Sequence, residues 1–337
     1  LAPTSSTTAT LAMGDALAVS LLELRGFNKS DFAKLHPGGM LGKRLLLTLD
    51  HITHKEDRIP FVNTNTKVKD ALLKISEKGF GMTAVLNNKD EMRGSYLGPE
   101  YSQEEIEKQL NEIGANFKIH QEDEIIEKTA NDLTKGNAIG WFQGKMEFGP
   151  RALGNRSIIG DARSESMQKN LNLKVKFRES FRPFAPSILK ENVKDWFDIN
   201  CESPYMLLVA NVKKEKVLQI SDKDEKLFGI DKLNIKRSLI PAVTHVDNSA
   251  RIQTVDKETN EKYYKLIQKF EELTGCPVIV NTSFNVRGEP IVNSPLDAFN
   301  CFMGTDLDYL VIGNCILDKS NQDPNLKKDY TKEFELD

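Results

Sequence analysis

The alternation of apolar and polar positions along the chain marks out its elements before anything else does. Residues 4–27 open on Ser and Thr, carry apolar residues through Leu24 and stop at Gly26, which predicts a helix with a cap and a breaker. A short helix is expected near Ser30–Leu35, running into the tight loop His36-Pro37-Gly38-Gly39. Val68, Ala71, Leu72 and Ile75 share one helical face over 67–78, and Met82–Leu86 reads as a strand. Ser102 with Glu105 three residues on is a capping box, opening a helix whose face is Ile106, Leu110 and Ile113. A helix at 123–135, an apolar strand at Ala138–Phe142 and a Gly/Pro/Arg-rich loop at 144–157 follow. Strands then fit 205–212, 241–246, 250–255, 276–280 and 308–316. Helices fit 164–173, 259–274 and 295–303, the last with Ser294 as cap and Pro295 in its first turn. Strands and helices mix without strict order, which predicts an α/β (α+β) architecture over 95–317.

Charge narrows the function classes. Lys+Arg 46 against Asp+Glu 49 leaves a net charge of −3, so no basic field marks a nucleic-acid binder. No apolar run is read as reaching the roughly 18 residues of a membrane helix. The four cysteines (Cys201, Cys276, Cys301 and Cys315) lie far apart without a C-x-x-C pair, and read as reduced, buried filler in a cytoplasmic protein. The stretch 213–236 is packed with charge and is expected to be solvated, as is a frayed tail after Asp318. The chain starts at Leu1 without a methionine, which reads as a fragment.

The segments LAPTSSTTATLAMGDALAVSLLELRGF and DFAKLHPGGMLGKRLL resemble the end of the sugar-isomerase (SIS) domain of arabinose-5-phosphate isomerases. HITHKEDRIPFVNTNTKVKDALLKISEKGFGMTAVLNNKDEMRG resembles the first part of the CBS domain that follows it there. The resemblance implies an SIS tail over 1–46 and a truncated CBS piece over 47–94. His36 matches the histidine that helps ring opening or proton transfer in that family. The phosphosugar loop and acidic residues that isomerisation also needs are not in this sequence, so His36 is expected to be a loop remnant. This front half is expected to expose apolar helix faces.

From Gly94 onward the motifs change. GWFQGKMEFGPRALGNRSIIGDAR, KFRESFRPFAPSIL, PAVTHVDNSARIQTV and NTSFNVRGEPIVNSPLDAF resemble the C-terminal part of carbamoyltransferases of the nodulation-factor and antibiotic-tailoring type. The resemblance implies the end of the family's N-terminal region over 95–135, a YrdC-like twisted-sheet domain over 136–317 and a flexible tail over 318–337. It further implies ATP and carbamoyl phosphate as substrates, with Mg2+ allowed alongside ATP, and carbamoyl adenylate as product. A sugar or glycoside hydroxyl would accept the carbamoyl group, in a domain that is otherwise missing here.

Two polyanionic substrates demand cations and backbone donors fixed in advance, and Arg binds phosphate bidentately. In EFGPRALGNRSI the candidates are Arg151, Arg156 and Ser157, with Gly149 and Gly154 permitting close backbone approach. Lys176-Phe177-Arg178 is a K-x-R pair, which in extended chain turns both cations to one face. Ser283-Phe284-Asn285 is an S-x-N pair just after an apolar strand, where α/β folds often bind ligands. The combination resembles the nucleotide and carbamoyl-binding signature of YrdC-type synthases. Lys176 and Arg178 are therefore the catalytic candidates, with Ser283, Asn285, Arg182 and Arg287 as binding residues. His245 reads either as a hairpin histidine or as a phosphate contact. No metal site is assigned, His51-x-x-His54 having no third ligand. Small-molecule substrates are expected, with no nucleic-acid or membrane partner, and a homo-oligomer is left open. The rival readings are a sugar-phosphate isomerase, a non-catalytic binding module and a fusion of two neighbouring reading frames.

Overall fold

The computed structural model describes residues 4–26, 60–63, 65–78, 83–86, 94–221, 227 and 235–327. The short helix expected near 30–35, together with His36, His51 and His54, lies outside them. The chain divides into two compact units, Leu1–Met92 and Arg93–Asp337.

In the first unit, helix α1 (Thr4–Leu24) ends at Gly26, whose left-handed φ of +63° favours a residue without Cβ. Its apolar residues are exposed, Leu11 at 69% and Met13 at 72%. By length and composition, Thr7–Leu24 is apolar enough to cross a membrane, with a mean hydropathy of 1.2 over 18 residues. That corrects the expectation that no run reaches this length, although the margin is small. Strand β1 (Phe61–Asn63), helix α2 (Val68–Lys78) and strand β2 (Ala84–Leu86) form a β-α-β unit with parallel strands. Ala71 and Ile75 are half-buried, whereas Val68 and Leu72 of the expected face are exposed.

The second unit is built on one mixed nine-stranded sheet in the order β3-β11-β10-β4-β5-β9-β6-β8-β7. Its strands are β3 (Lys118–Ile119), β4 (Ile139–Phe142), β5 (Arg156–Asp161), β6 (Ala185–Leu189), β7 (Leu208–Asn211), β8 (Ser249–Val255), β9 (Val278–Ser283), β10 (Tyr309–Ile312) and β11 (Cys315–Asp318). Helix α3 (Gln103–Glu112) starts at the anticipated capping box: Ser102 Oγ accepts from Glu105 N at 3.3 Å, and Ser102 N donates to the Glu105 carboxylate at 2.8 Å. Helix α4 is Glu122–Thr134, and the short α5 (Met167–Asn170) winds into a π-helical turn, Leu171–Val175. After the four-residue α6 (Val193–Trp196) come α7 (Glu261–Thr274) and α8 (Pro295–Gly304). α4 and α7 pack on each other over β5, β6 and β9, while α3 and α8 pack beside β4 and β10. Trp141, Phe142, Leu110 and Phe302 are fully buried, so Trp141 and Phe142 are core as expected.

Several expectations change. The loop at 144–157 ends earlier, because Arg156 and Ser157 begin β5, a central strand. β6 was not expected, for Pro186 lies inside it. The proline fits because pairing with β8 begins only at Ser187, so its missing N–H falls where no partner strand needs it. Residues 241–246 hold a 3-10 turn (Pro241–Val243) instead of a strand. The span 308–316 is a hairpin of β10 and β11 turning at Gly313. The tail is packed at first: Gln322, 6% exposed, donates to the carbonyls of Asn116 and Asp318. Among the cysteines, Cys201 is exposed and the other three are buried.

Candidate functional site

The sheet register lays a stripe of polar side chains across the central strands. Directly opposed residues of neighbouring strands share a face, and so do residues two apart along one strand. Ser157 of β5 faces Ser283 of β9, Ser187 of β6 faces Ile279 of β9, and Gln253 of β8 faces Ser187. Asn281, two before Ser283, therefore lies on the same face. The side chains confirm the alignment: Asn281 Nδ2 donates to Gln253 Oε1 at 2.7 Å, Ser187 Oγ to the same oxygen at 2.5 Å, and Tyr263 OH to Ser187 Oγ at 3.0 Å. A core this polar carries a desolvation cost that only satisfied bonds offset, and it leaves Asn281 Oδ1 buried with no partner among the described residues.

The stripe anchors the Gly/Pro/Arg-rich loop. Asn281 Nδ2 also donates to Ala152 O at 3.1 Å and Gln253 Nε2 to Leu153 O at 2.8 Å. Inside the loop the buried Glu147 gathers backbone donors, its Oε1 accepting from Leu153 N and Asn155 N at 2.7 Å and from Arg156 N at 3.2 Å. Arg156 gathers the carbonyls. Its guanidinium donates to Gln143 O at 2.7 Å, Asn155 O at 2.9 Å, Gly144 O at 3.2 Å and Pro99 O at 3.2 Å, and it lies 3.5 Å from the Phe142 ring centroid. Burial pushes its pKa down to about 10. The structure thus sets Arg156 inside the loop as its framework and does not bring it to the other cations. Gly154 has φ +110°, and a Cβ there would meet the Tyr263 ring at 2.3 Å, so backbone and ring both require glycine. Its N–H donates to Ser157 Oγ at 3.0 Å.

The K-x-R and S-x-N pairs meet. Lys176 Nζ, buried, donates to Asn285 Oδ1 at 2.7 Å, to Asn285 O at 2.8 Å, to Ser283 Oγ at 3.2 Å and to the Ser283 carbonyl. Ser283 Oγ in turn donates to Asn285 Oδ1 at 2.7 Å. S-x-N sits at the C-terminal end of β9, as its position after the apolar run suggested. K-x-R is not extended, however. Lys176 is in the right-handed helical region, and Phe177 follows at φ +48°, a conformation unusual for an aromatic residue. A reversal of the chain, not a strand pleat, therefore presents the two cations. Arg178 turns back, its N donating to Asn172 O at 3.0 Å and its Nε to Asn172 Oδ1 at 2.7 Å, with the guanidinium 5.0 Å from the Phe184 ring.

Burial depresses the Lys176 pKa to about 7. The neighbouring Cys301 and Glu289 push it up, and the Arg178 charge pushes it further down. Arg178 is drawn down to about 10 by burial and then by Arg182, against Glu179. Arg182 and Arg287 converge on Glu179, at 2.9 Å and 3.9 Å. Cations from two segments more than a hundred residues apart thus collect around the Ser283–Asn285 turn.

Arg151 and Arg251 form a second electropositive patch. Arg151 lies close enough to lower the Arg251 pKa, after burial, and each has a buried Nε without a partner among the described residues. His245 faces it, its pKa lowered by burial and by Arg251 against the pull of Asp247. His245 stands in a tight turn, its N donating to Ser249 O at 2.8 Å, so the hairpin reading keeps its turn and loses its first strand. The sequence reading did not nominate Arg251, Asn281, Glu147, Asn172 or Glu289. For Arg251 a signal existed in S-A-R-I-Q-T-V, where Arg and Gln alternate with apolar residues on a strand, so a cation is carried onto the polar face.

Comparison with known proteins agrees with the resemblance read from the C-terminal motifs and gives no match for the sugar-isomerase and CBS readings of residues 1–94 among the relatives described below. The family described as Carbamoyltransferase C-terminus matches residues 130–319, more than half of the chain. The protein belongs to that family. Among its relatives, an uncharacterized protein of Synechocystis is 57% identical over 252 residues, covering 74% of this chain and 41% of that one. The nodulation protein NolNO of Sinorhizobium fredii is 38% identical, covering 70% of this chain and 32% of its own length. The 3'-hydroxymethylcephem-O-carbamoyltransferase of Streptomyces clavuligerus is 34% identical, covering 54% and 30%. The chain thus spans less than half the length of these relatives. A crystal structure of full-length HypF in a phosphate- and nucleotide-bound form aligns with a TM-score of 0.36 and 17% identity, covering 58% of this chain and 22% of that one.

Proposed function

We propose that residues 136–317 are the YrdC-like, adenylate-forming domain of an O-carbamoyltransferase, with 95–135 the end of its N-terminal region. Water would hydrolyse carbamoyl phosphate to carbamate and inorganic phosphate, and the carbamate oxygen would then attack the α-phosphorus of ATP, forming carbamoyl adenylate as the bond to the departing pyrophosphate breaks. Lys176 and Arg178 hold the negative charge that builds on the transferring group, and Ser283 and Asn285 orient it. Arg151 and Arg251 take a phosphate, Ser157 stands opposite Ser283 on the adjoining strand, and Arg182 and Arg287 steer the anions at the rim. Mg2+ would enter with the ATP phosphates as part of the substrate. The observation that carries this reading is the convergence of Lys176 on Ser283 and Asn285. Nothing in a buried core calls for an ammonium there, because burial opposes its charge.

Transfer of the carbamoyl group to a hydroxyl belongs, in this reading, to the part of the longer relatives that the chain does not span. The resemblance of residues 1–94 to an SIS tail and a CBS piece is supported by its motifs and by the parallel β1-α2-β2 unit. A reducing, cytoplasmic setting fits the four unpaired cysteines, and the partners in this reading are the small-molecule substrates.

The test is ATP–pyrophosphate exchange dependent on carbamoyl phosphate. Wild type should exchange, and Lys176→Ala and Arg178→Ala should each lose about 100-fold or more. A folded wild-type sample without exchange overturns the function. Exchange undiminished in both variants overturns the site.

A further inference from the structure

The turn that follows β9 has an organiser outside both motifs. Asn285 Nδ2 donates to the Glu289 carbonyl at 2.6 Å, and Val286 N donates to Glu289 Oε2 at 2.8 Å. Residues 285–289 are thus closed on one side by a backbone oxygen of Glu289 and on the other by its carboxylate. Asn285 has an amide with two functional ends. Because Glu289 O holds the Nδ2 end, the Oδ1 end must point the opposite way, where it meets Lys176 Nζ at 2.7 Å. Burial pushes the pKa of the Cys301 thiol of α8 well up, and the charge of the Glu289 carboxylate and a hydrogen bond to it push the same way, against Lys176. Three groups carrying or able to carry charge face Lys176: Arg178 from its own segment, Glu289 from the turn after β9, and Cys301 from α8. Only Glu289 brings a negative charge near neutral pH.

We infer that Glu289 is a positioning residue: it clamps the turn at Val286, so that the oxygens of Ser283 and Asn285 stay aimed at Lys176, and its carboxylate is the negative charge that faces that lysine. The inference rests on the reading in which Lys176 acts on anionic substrates, and it adds the group that prepares Lys176 for them. The clamp and the charge are separable roles of one side chain, and two substitutions divide them. Glu289→Gln keeps an oxygen for Val286 N and removes the charge. Glu289→Asp keeps the charge and withdraws it by one methylene, beyond reach of Val286 N.

The experiment follows the titration of Lys176 by NMR in lysine labelled with 13C at Cε, assigned with Lys176→Arg, together with hydrogen exchange at the Val286 amide. In Glu289→Gln the Lys176 midpoint should fall by about half a unit or more, with Val286 protection kept. In Glu289→Asp the midpoint should stay near the wild-type value, while Val286 protection drops by about tenfold. A Lys176 midpoint that does not move in Glu289→Gln overturns the counter-charge. Unchanged Val286 protection in Glu289→Asp overturns the clamp, and that arm stands by itself if the Gln variant fails to fold. Neither readout needs turnover. Missing ATP–pyrophosphate exchange in wild type would therefore remove the proposed reaction and leave the role of Glu289 to be decided by the spectra.

Discussion

Arg156 and Lys176 are both buried cations wrapped in protein oxygens, and the way each is wrapped separates a framework residue from the one proposed to act on substrate. The four carbonyls around Arg156 belong to its own loop and to Pro99, and every one is main-chain. A planar guanidinium with five fixed donors suits such a cage, because it can satisfy several carbonyls at once and stays charged despite burial. Lys176 instead meets oxygens 107 and 109 residues away in sequence, two of them side-chain oxygens already bonded to each other. Its ammonium has three donors for four acceptors, so at least one bond is shared. An anion offering better acceptors can exchange with these partners, whereas nothing arriving from solvent can replace the Arg156 cage without undoing the loop.

The sharpest way to break this contrast is to remove each charge while keeping bulk. Arg156→Met strips the donors from four loop carbonyls and should lower stability by about 3–5 kcal/mol in urea melts at pH 7. Lys176→Met relieves a buried charge, and Ser283 Oγ still serves Asn285 Oδ1. Its stability should stay within about 1–2 kcal/mol of wild type. Equal losses in the two variants would erase the distinction.

The loop that Arg156 braces offers the next test. Gly154→Ala meets two separate obstacles, a φ of +110° and the Tyr263 ring at 2.3 Å. A loss of about 2–3 kcal/mol should follow, most of it persisting when Tyr263→Leu clears the space, because the dihedral strain is independent of the ring. Full recovery in the double variant would mean that the backbone there is not strained.

How far the sequence foretold these regions depends on where the signal is stored. α3 and α8 were legible because capping boxes and a first-turn proline are local, as were the apolar runs of β4 and β9. β5 was hidden, since R-S-I-I-G-D follows a Gly/Pro-rich stretch and opens on a charge that only the tertiary cage of carbonyls can bury. β6 was hidden by Pro186, which is tolerated because β8 pairs one residue later. The chemistry of K-x-R was legible and its geometry was not: pleat spacing suggested a strand, but the reversal at Phe177 comes from the π-helical turn before it. Glu289 was missed because an acidic residue in a glycine-containing turn does not announce the amide it will clamp, and Arg251 because its alternation signal gains meaning only when Arg151 is brought beside it.

Proton linkage gives a third test. The Lys176 pKa falls from 10.5 unfolded to about 7 folded, so between those values the unfolded chain binds the extra proton. Stability therefore rises with pH across that window, by up to about 1.4 kcal/mol per unit, and is flat below it. Cys276, with its pKa pushed up to about 12, works in the opposite sense at the alkaline end, and Lys319, lowered to about 8, works in the same sense. The informative quantity is thus wild type minus Lys176→Met, measured at pH 6, 7, 8 and 9. A difference that does not change with pH would mean that Lys176 is not the titrating group.

The smallest effect concerns the second patch. Arg151 lies close enough to Arg251 to lower its pKa, after burial, and such repulsion costs stability that a bound anion would offset. Arg251→Gln should therefore leave the fold as stable as wild type or slightly more so, while weakening binding of inorganic phosphate or pyrophosphate by about tenfold, or roughly 1.4 kcal/mol. Raising the salt should shrink that penalty, because screening weakens the wild-type attraction first. For Arg156 the opposite holds: its replacement should cost stability at every salt concentration, since its partners are carbonyls held inside the loop. If Arg251→Gln were to destabilise the protein as Arg156→Met does, the second patch would belong with the framework and the anion sites would reduce to the neighbourhood of Lys176.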